Sequence, residues 1–369
     1  RRLVHFCTRN IHASCKVLHH YLLPEIAVHP HRGDVRFTIL FDEIQNLPNW
    51  ELFANRLHRE GYNLVLTGSN ANLLSKELAT HLTGRHMPIE ILPFDFDEFL
   101  RAKKFALDPQ YASLPEQRGI LLNLMEQYLY NGGFPEVVVS NLDPKDYLQV
   151  LFDALLFKDV VKRHKVKFST KVSVLGSHLI NNFASLYTTR KLLDILDLKS
   201  ATTTEKYINY LEEAYLIFSI SRYSHQSSYR IKSPRKVYAV DNGFVTAKAI
   251  QHSPDRGKLM ENLVFMELVK RGFEPERELF YYKTRNNREI DFVVKKEIEV
   301  LGLYQVCYES VNQAVEDREA KALIEASGEL KTDNLTVLTW DEEREIKRNG
   351  KTIQFKPLWK WLLESKSGI

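Results

Sequence analysis

Two adjacent carboxylates, Asp42 and Glu43, follow directly on the apolar run Phe37–Phe41. A short run rich in β-branched and aromatic residues reads as a strand buried on both faces. Acids at the carboxyl end of such a strand stand where open α/β sheets bind ligands. The first acid is suited to hold Mg²⁺, and the second to orient or activate a water that attacks a phosphoryl group. The same pattern also describes a buried strand ending in a solvated acidic turn. A second set of residues lies one strand further on. Asn63–Leu66 reads as another buried strand, and it is followed by Thr67, Gly68, Ser69 and Asn70. A hydroxyl or amide there can hydrogen-bond the attacking water or a γ-phosphate.

The elements that must position these groups are legible around them. Between the two strands, Trp50–Glu60 carries Trp50, Phe53, Ala54 and Leu57 at helical spacing. Strand, helix and strand make a β-α-β unit. That unit implies a parallel sheet and a right-handed crossover, with Thr67, Ser69 and Asn70 beside Asp42 at one sheet edge.

FDEIQNLPNWE, LTGSNANLLSKEL and LTGRHMPIEILPFDFDEFL resemble a large family of prokaryotic ATP-binding proteins with an AAA-type core and a carboxyl-terminal region of unassigned function. YLYNGGFPEVV, FKDVVKRH, TTTEKYINYLEEAYLIF, KVYAVDNGF, EIDFVV and LYQVCY carry the resemblance over roughly residues 37–340. It implies ATP with Mg²⁺ as cofactors, Thr38–Glu43 as a Walker B strand, and Thr67, Ser69 and Asn70 at the sensor-one position. Arg85 is then either an arginine finger toward a neighbouring subunit or the partner of an acid such as Glu90. No G-x-x-x-x-G-K-[ST] occurs in the sequence. That loop cradles the phosphates and holds Mg²⁺. In the family it lies upstream of the acidic strand, which places it before Arg1. With Arg-Arg and not Met at its start, the chain is expected to begin inside a longer gene product, and alone to bind ATP weakly.

The class is α/β. The expected architecture is a partial, parallel-sheet P-loop NTPase core of AAA type over 1–107, a helical and winged-helix domain over 108–245, and a restriction-endonuclease-like α/β domain over 246–369. Pro88–Leu92 reads as a strand, Ala71–His81 and Asp95–Leu100 as helices, and 101–116 as a linker. Helices over Val172–Leu186, Thr189–Leu196 and Thr202–Tyr215 precede strands Leu216–Arg222 and Arg235–Val240, which suggests a winged helix with its hairpin at Tyr223–Pro234. Thr203, Thr204, Lys206 and Asn209 would then face outward for DNA. Arg222, Arg230, Lys232, Arg235 and Lys236 would line the wing as phosphate ligands. Glu205, Glu212 and Glu213 argue for the alternative, a module packed against its neighbours.

The last region reads helix Lys258–Arg271, strands Leu279–Lys283, Glu289–Val294 and Val300–Tyr308, helix Val315–Ala326 and strand Asn334–Thr339. This order resembles the PD-(D/E)xK nuclease core. Carried over, its metal positions fall on Glu261, Asp291 and Gln305, and its lysine position on Cys307. A neutral Gln305 weakens the metal cage, and Cys307 cannot stabilise charge on the water or phosphate. Lys283 on the neighbouring strand is the candidate substitute cation. A degenerate nuclease fold is the favoured reading over a live one.

Composition sets the remaining bounds. The chain has 369 residues, 44% of them hydrophobic and 27% charged, with net charge +4. Length suggests two or three domains. The charge is mild and leaves DNA, a partner protein or self-association open. No apolar run approaches a membrane span and no signal peptide is visible, so a cytoplasmic protein is expected. Cys7, Cys15 and Cys307 form no disulfide framework. Six of thirteen histidines lie before residue 37, and with Cys7 and Cys15 they match no closed zinc pattern.

Overall fold

Apolar alternation and a helical apolar stripe build the amino-terminal unit, Arg1–Ile91. The computed structural model describes residues 3–7, 38–44, 47, 49–69, 86–105, 114–140, 142–224, 226–250, 254–308 and 313–364. Strands β1 (Leu3–Cys7), β2 (Thr38–Asp42) and β3 (Asn63–Leu66) form a parallel sheet in the order β1-β2-β3. Helix α1 (Trp50–Arg59) crosses between β2 and β3. Its Trp50, Phe53, Ala54 and Leu57 bury against Ile39, Phe41 and Ile44, and Phe41 meets Phe53 edge to face at 5.7 Å. The β2 strand is fully buried only on the side of Ile39 and Phe41; Thr38, Leu40 and Asp42 are half-buried, in contrast to the two-faced burial expected. Pro88–Leu92 forms no strand: the stretch is irregular, and Met87, Ile89 and Ile91 are exposed.

The second unit, Leu92–Ile369, opens with helix α2 (Phe96–Ala102), whose Asp95 and Glu98 close a reciprocal cap. Helices α3 (Pro115–Asn131), α4 (Pro135–Val139) and α5 (Pro144–Leu155) follow, the last continuing as a π-helical turn over Leu156–Lys162. Next come α6 (Ser169–Asn181), β4 (Ser185–Tyr187), α7 (Thr189–Leu196), α8 (Ala201–Glu213), β5 (Ile217–Ile220), α9 (Ser227–Lys232) and β6 (Arg235–Ala239). The strands β4, β6 and β5 pair antiparallel in that order. Where a wing hairpin was expected, the connection between β5 and β6 instead folds into α9. Ser200 stands at the N-cap of α8, and its side chain makes no capping bond.

Helix α10 (Asn242–Lys248) leads to α11 (Arg256–Lys270), which is buried almost all round and so is a central helix. Strands β7 (Leu279–Lys283), β8 (Glu289–Lys296) and β9 (Glu299–Cys307), helix α12 (Gln313–Leu330), and strands β10 (Leu335–Thr339), β11 (Arg344–Arg348) and β12 (Lys351–Pro357) precede helix α13 (Leu358–Leu363). The six strands form one mixed sheet, β11-β12-β10-β9-β8-β7. One face, with Ile290, Val293, Leu303 and Val337, packs on Val315, Leu323 and Ala326 of α12. The other, with Phe292, Val294, Tyr304 and Leu338, joins the core of α11, α13 and the preceding helices. The chain's Gly-Lys-Thr, Gly350–Thr352, is no phosphate loop. Asn349 and Gly350, at φ 50° and 74°, are the turn of the β11–β12 hairpin.

Candidate functional site

In the amino-terminal unit, parallel pairing of β2 with β3 carries Asp42 and Thr67 to the same sheet edge. Thr67 Oγ1 donates to Asp42 Oδ1 at 2.6 Å and accepts from the Glu43 backbone N–H at 3.1 Å. Thr67 N–H in turn donates to Phe41 O at 2.9 Å, which extends the ladder past the strand end. Glu43 takes a left-handed turn, φ 54°, and is buried. This conformation costs a non-glycine residue free energy and redirects the chain after Asp42. Ser69 is half-buried beyond Thr67. Asn70, Arg85 and the helix expected at Ala71–His81 lie outside the described residues, as do the histidines between residues 12 and 31.

The second site is built by three elements of the other unit. Lys236 on β6 directs its ammonium into carboxylates from α11 and β8. Nζ lies 2.8 Å from Glu261, 2.8 Å from Glu289 and 3.4 Å from Asp291. The Lys236 side chain is only 4% exposed. Tyr238, next on the same strand face, donates its hydroxyl to Glu261 at 2.7 Å. Asp291 accepts from Val306 N–H at 2.9 Å, while its own N–H donates to Gln305 Oε1 at 3.2 Å. Burial works to lower Lys236, but Glu261, Asp291 and Glu289 outweigh it and hold the ammonium well above its ordinary value. Burial pushes Glu261 up to about 7 and raises Asp291, against the pull of Lys236 on both. At Glu289 burial is overcome by Lys236 and Lys283, and its carboxyl falls below the usual range.

Glu261 and Asp291 are therefore brought together around an internal ammonium, with Gln305 beside them on the Asp291 backbone. Among the described residues, no three His, Cys, Asp or Glu side chains are grouped to hold a metal ion. The cation comes from Lys236 and not from Lys283, which reaches only Glu289, at 3.5 Å. Cys307 is buried in the apolar layer under α12. Sequence reasoning missed Lys236 and Tyr238 here because both belong to the supposed wing. Their alternation with Val240 on a buried strand was the available signal.

The expected nucleic-acid residues are dispersed. Thr204 is buried, with its hydroxyl turned back to Ser200 O, whereas Lys206 and Asn209 are exposed. Lys232 is exposed, and Arg230 lies 5.9 Å from the centre of the Phe280 ring. The other supposed wing cations are spent internally. Arg222 donates to Lys283 O, and Arg235 bridges Glu212 and Glu276.

Two further motifs prove to be one structure. Asp241 caps α10 and accepts from Gly133 N–H and Gly243 N–H, both at 2.8 Å. Asn242 donates to Leu129 O and Leu259 O, and Asn262 donates to Asn242 Oδ1. The turn Gly132–Gly133 must lack side chains, since a Cβ on Gly133 would stand 2.2 Å from Phe94 O. Burial raises Asp241 to about 6, opposed by Gly133, Lys270 and Gly243.

A family model described as an AAA domain matches residues 11–100, the stretch that carries Asp42, Glu43 and Thr67. Two models, each described as a domain of unknown function (DUF8612 and DUF4143), match residues 122–254 and 256–361. An uncharacterized protein of Methanocaldococcus jannaschii is 37% identical over 338 residues, covering 88% of this chain and 74% of that protein. An uncharacterized protein of Haemophilus influenzae is 32% identical over 281 residues, covering 74% of this chain and 66% of that protein. Among the described residues no helix is long and apolar enough to cross a membrane.

Proposed function

The chain belongs to a family of AAA-domain, ATPase-like proteins represented in an archaeon and a bacterium, and on that premise we propose that it is the metal-and-water half of an ATP-dependent switch. The observation that carries this reading is the 2.6 Å hydrogen bond between Thr67 and Asp42 at the ends of adjacent parallel strands. In it, Asp42 is the Mg²⁺ ligand, Thr67 fixes the Asp42 rotamer, and Glu43 orients the attacking water. Magnesium bound there supplies charge neutralisation for the β- and γ-phosphates. Ser69, Asn70 and Arg85 are the proposed contacts to the γ-phosphate.

The helix–strand–helix–helix–strand–strand segment of α6 to β6 is read as a winged-helix variant whose wing is replaced by α9. The region from α11 onward is read as a nuclease-like fold used for assembly, because Lys236 already neutralises its acids. The sequence contains no G-x-x-x-x-G-K-[ST], so the phosphate cradle is not among these residues. Calorimetry with Mg·ATP should therefore find a Kd of about 1 mM or weaker, with Asp42→Ala weakening it further and Glu43→Gln leaving it unchanged. Micromolar affinity, or affinity indifferent to Asp42, would overturn the assignment.

A further inference from the structure

The π-helical turn Leu156–Lys162 and the chain that leaves it place an unusual set of side chains outside. Phe157 is 65% exposed and Phe168 56%. Between them Lys158, Lys162, Lys165 and Lys167 are all exposed. The single acid in this stretch, Asp159, is fully buried and paired with Arg163 at 3.0 Å. Two carboxylates on neighbouring elements carry their own counter-charges: Asp153 holds Lys248 at 2.8 Å and Asp197 is 3.5 Å from Lys171. Glu213 lies 3.4 Å from His164, whose imidazole burial holds toward the neutral form. Lys162, Lys165 and Lys167 join no ion pair among the described residues. π-helical turns are rare and are found disproportionately at functional sites. Here the turn buries Leu156, Asp159 and Val160 inward while Phe157 and Lys158 both face out.

We propose that this strip, Phe157 to Phe168, binds single-stranded nucleic acid, with Lys162, Lys165 and Lys167 on phosphates and the two phenyl rings stacked on bases. Exposed aromatics between cations suit unpaired bases, which have free π-faces, better than a duplex, whose bases are already stacked. A membrane surface fits less well. Of the apolar residues of the turn, Leu156 and Val160 are committed to the core and Val161 is half-buried, which leaves Phe157 alone among them exposed to meet a bilayer. Lys206 and Asn209 are not among its residues, although α8 packs on the strip through Tyr210, which stacks on His164 at 3.7 Å.

The test is fluorescence anisotropy on the full chain with a short labelled oligothymidylate, the same length of duplex, and vesicles containing phosphatidylserine. Wild type should bind the single strand more tightly than the duplex. Lys162→Glu/Lys165→Glu/Lys167→Glu should weaken binding at least about tenfold and reduce the slope of log affinity on log salt by about 2. Phe157→Ala/Phe168→Ala should weaken it at least about fivefold. All five side chains are exposed, and circular dichroism should show the variants folded. The proposal is overturned if wild type does not bind the oligonucleotide at low salt, if the triple lysine variant binds unchanged, if duplex is preferred and the phenylalanine variant is silent, if only vesicles bind, or if Lys206→Glu alone abolishes binding.

Discussion

Lys236 decides the character of the carboxyl-terminal acids. A buried ammonium touches three carboxylates, and removing it would leave those charges uncompensated. Lys236→Met should destabilise the protein by about 3–5 kcal/mol in denaturant unfolding. Glu261→Gln in the same chain should restore part of that loss. The penalty should be larger at pH 8 than at pH 5, because burial already raises Glu261 to about 7 and a protonated acid needs no partner. Asp241 gives a second pH test. A carboxyl raised in the folded state stabilises fully below its unfolded value, and that contribution is lost as pH rises through the folded value. The advantage of wild type over Asp241→Asn should therefore shrink between about pH 4 and pH 6, by up to about 3 kcal/mol. A constant difference would show that Asp241 is ionised throughout. At this scale the sequence singled out Asp42 and Thr67 by residue type and strand position, and Glu261 and Asp291 only through the resemblance to a nuclease core. It could not identify Lys236, whose role depends on β6 meeting α11 and β8 in space.

Elements were read well where a period was strong. Helix α1, strands β7 to β9 and helix α12 follow their apolar spacing, and the Asp95–Glu98 cap marks α2. The wing was misread because Tyr229 and Ile231 alternate with Arg230 and Lys232 as in a strand, yet both are exposed and the segment makes about one and a half helical turns instead. Pro88–Leu92 has strand composition, but its register partners are not set by its own residues. The interlock of Gly132–Gly133 with Asp241–Asn242 was visible only as two separate motifs, since 108 residues divide Gly133 from Asp241. It makes an element-scale prediction. Gly133→Ala, driving a Cβ against Phe94 O, should cost more than about 2 kcal/mol or prevent folding. Gly119→Ala, where a Cβ on α3 meets nothing within 4 Å, should stabilise by roughly 0.5–1 kcal/mol. Thermal melts of the two variants give the comparison.

At the scale of the whole molecule, an AAA-domain unit is joined in sequence to a larger unit matched by two domains of unknown function, whose buried acids are paired with its own lysine. The family membership and the Asp42–Thr67 edge support the nucleotide role proposed for the first unit, and the Lys236 cluster supports the proposal that the second does no hydrolytic metal chemistry. Phosphodiester cleavage needs an activated water and positioned positive charge beside the developing anion. Gln305 and Cys307 stand where the nuclease pattern would have an acid and a cation, and Glu261 and Asp291 lie on Lys236. The most direct measurement is incubation of the full chain with supercoiled plasmid and millimolar Mn²⁺, alongside Asp291→Asn. The account predicts no nicking by wild type. Nicking by wild type that vanishes in Asp291→Asn would contradict it, because the carboxylates would then be serving a metal with Lys236 as the catalytic cation.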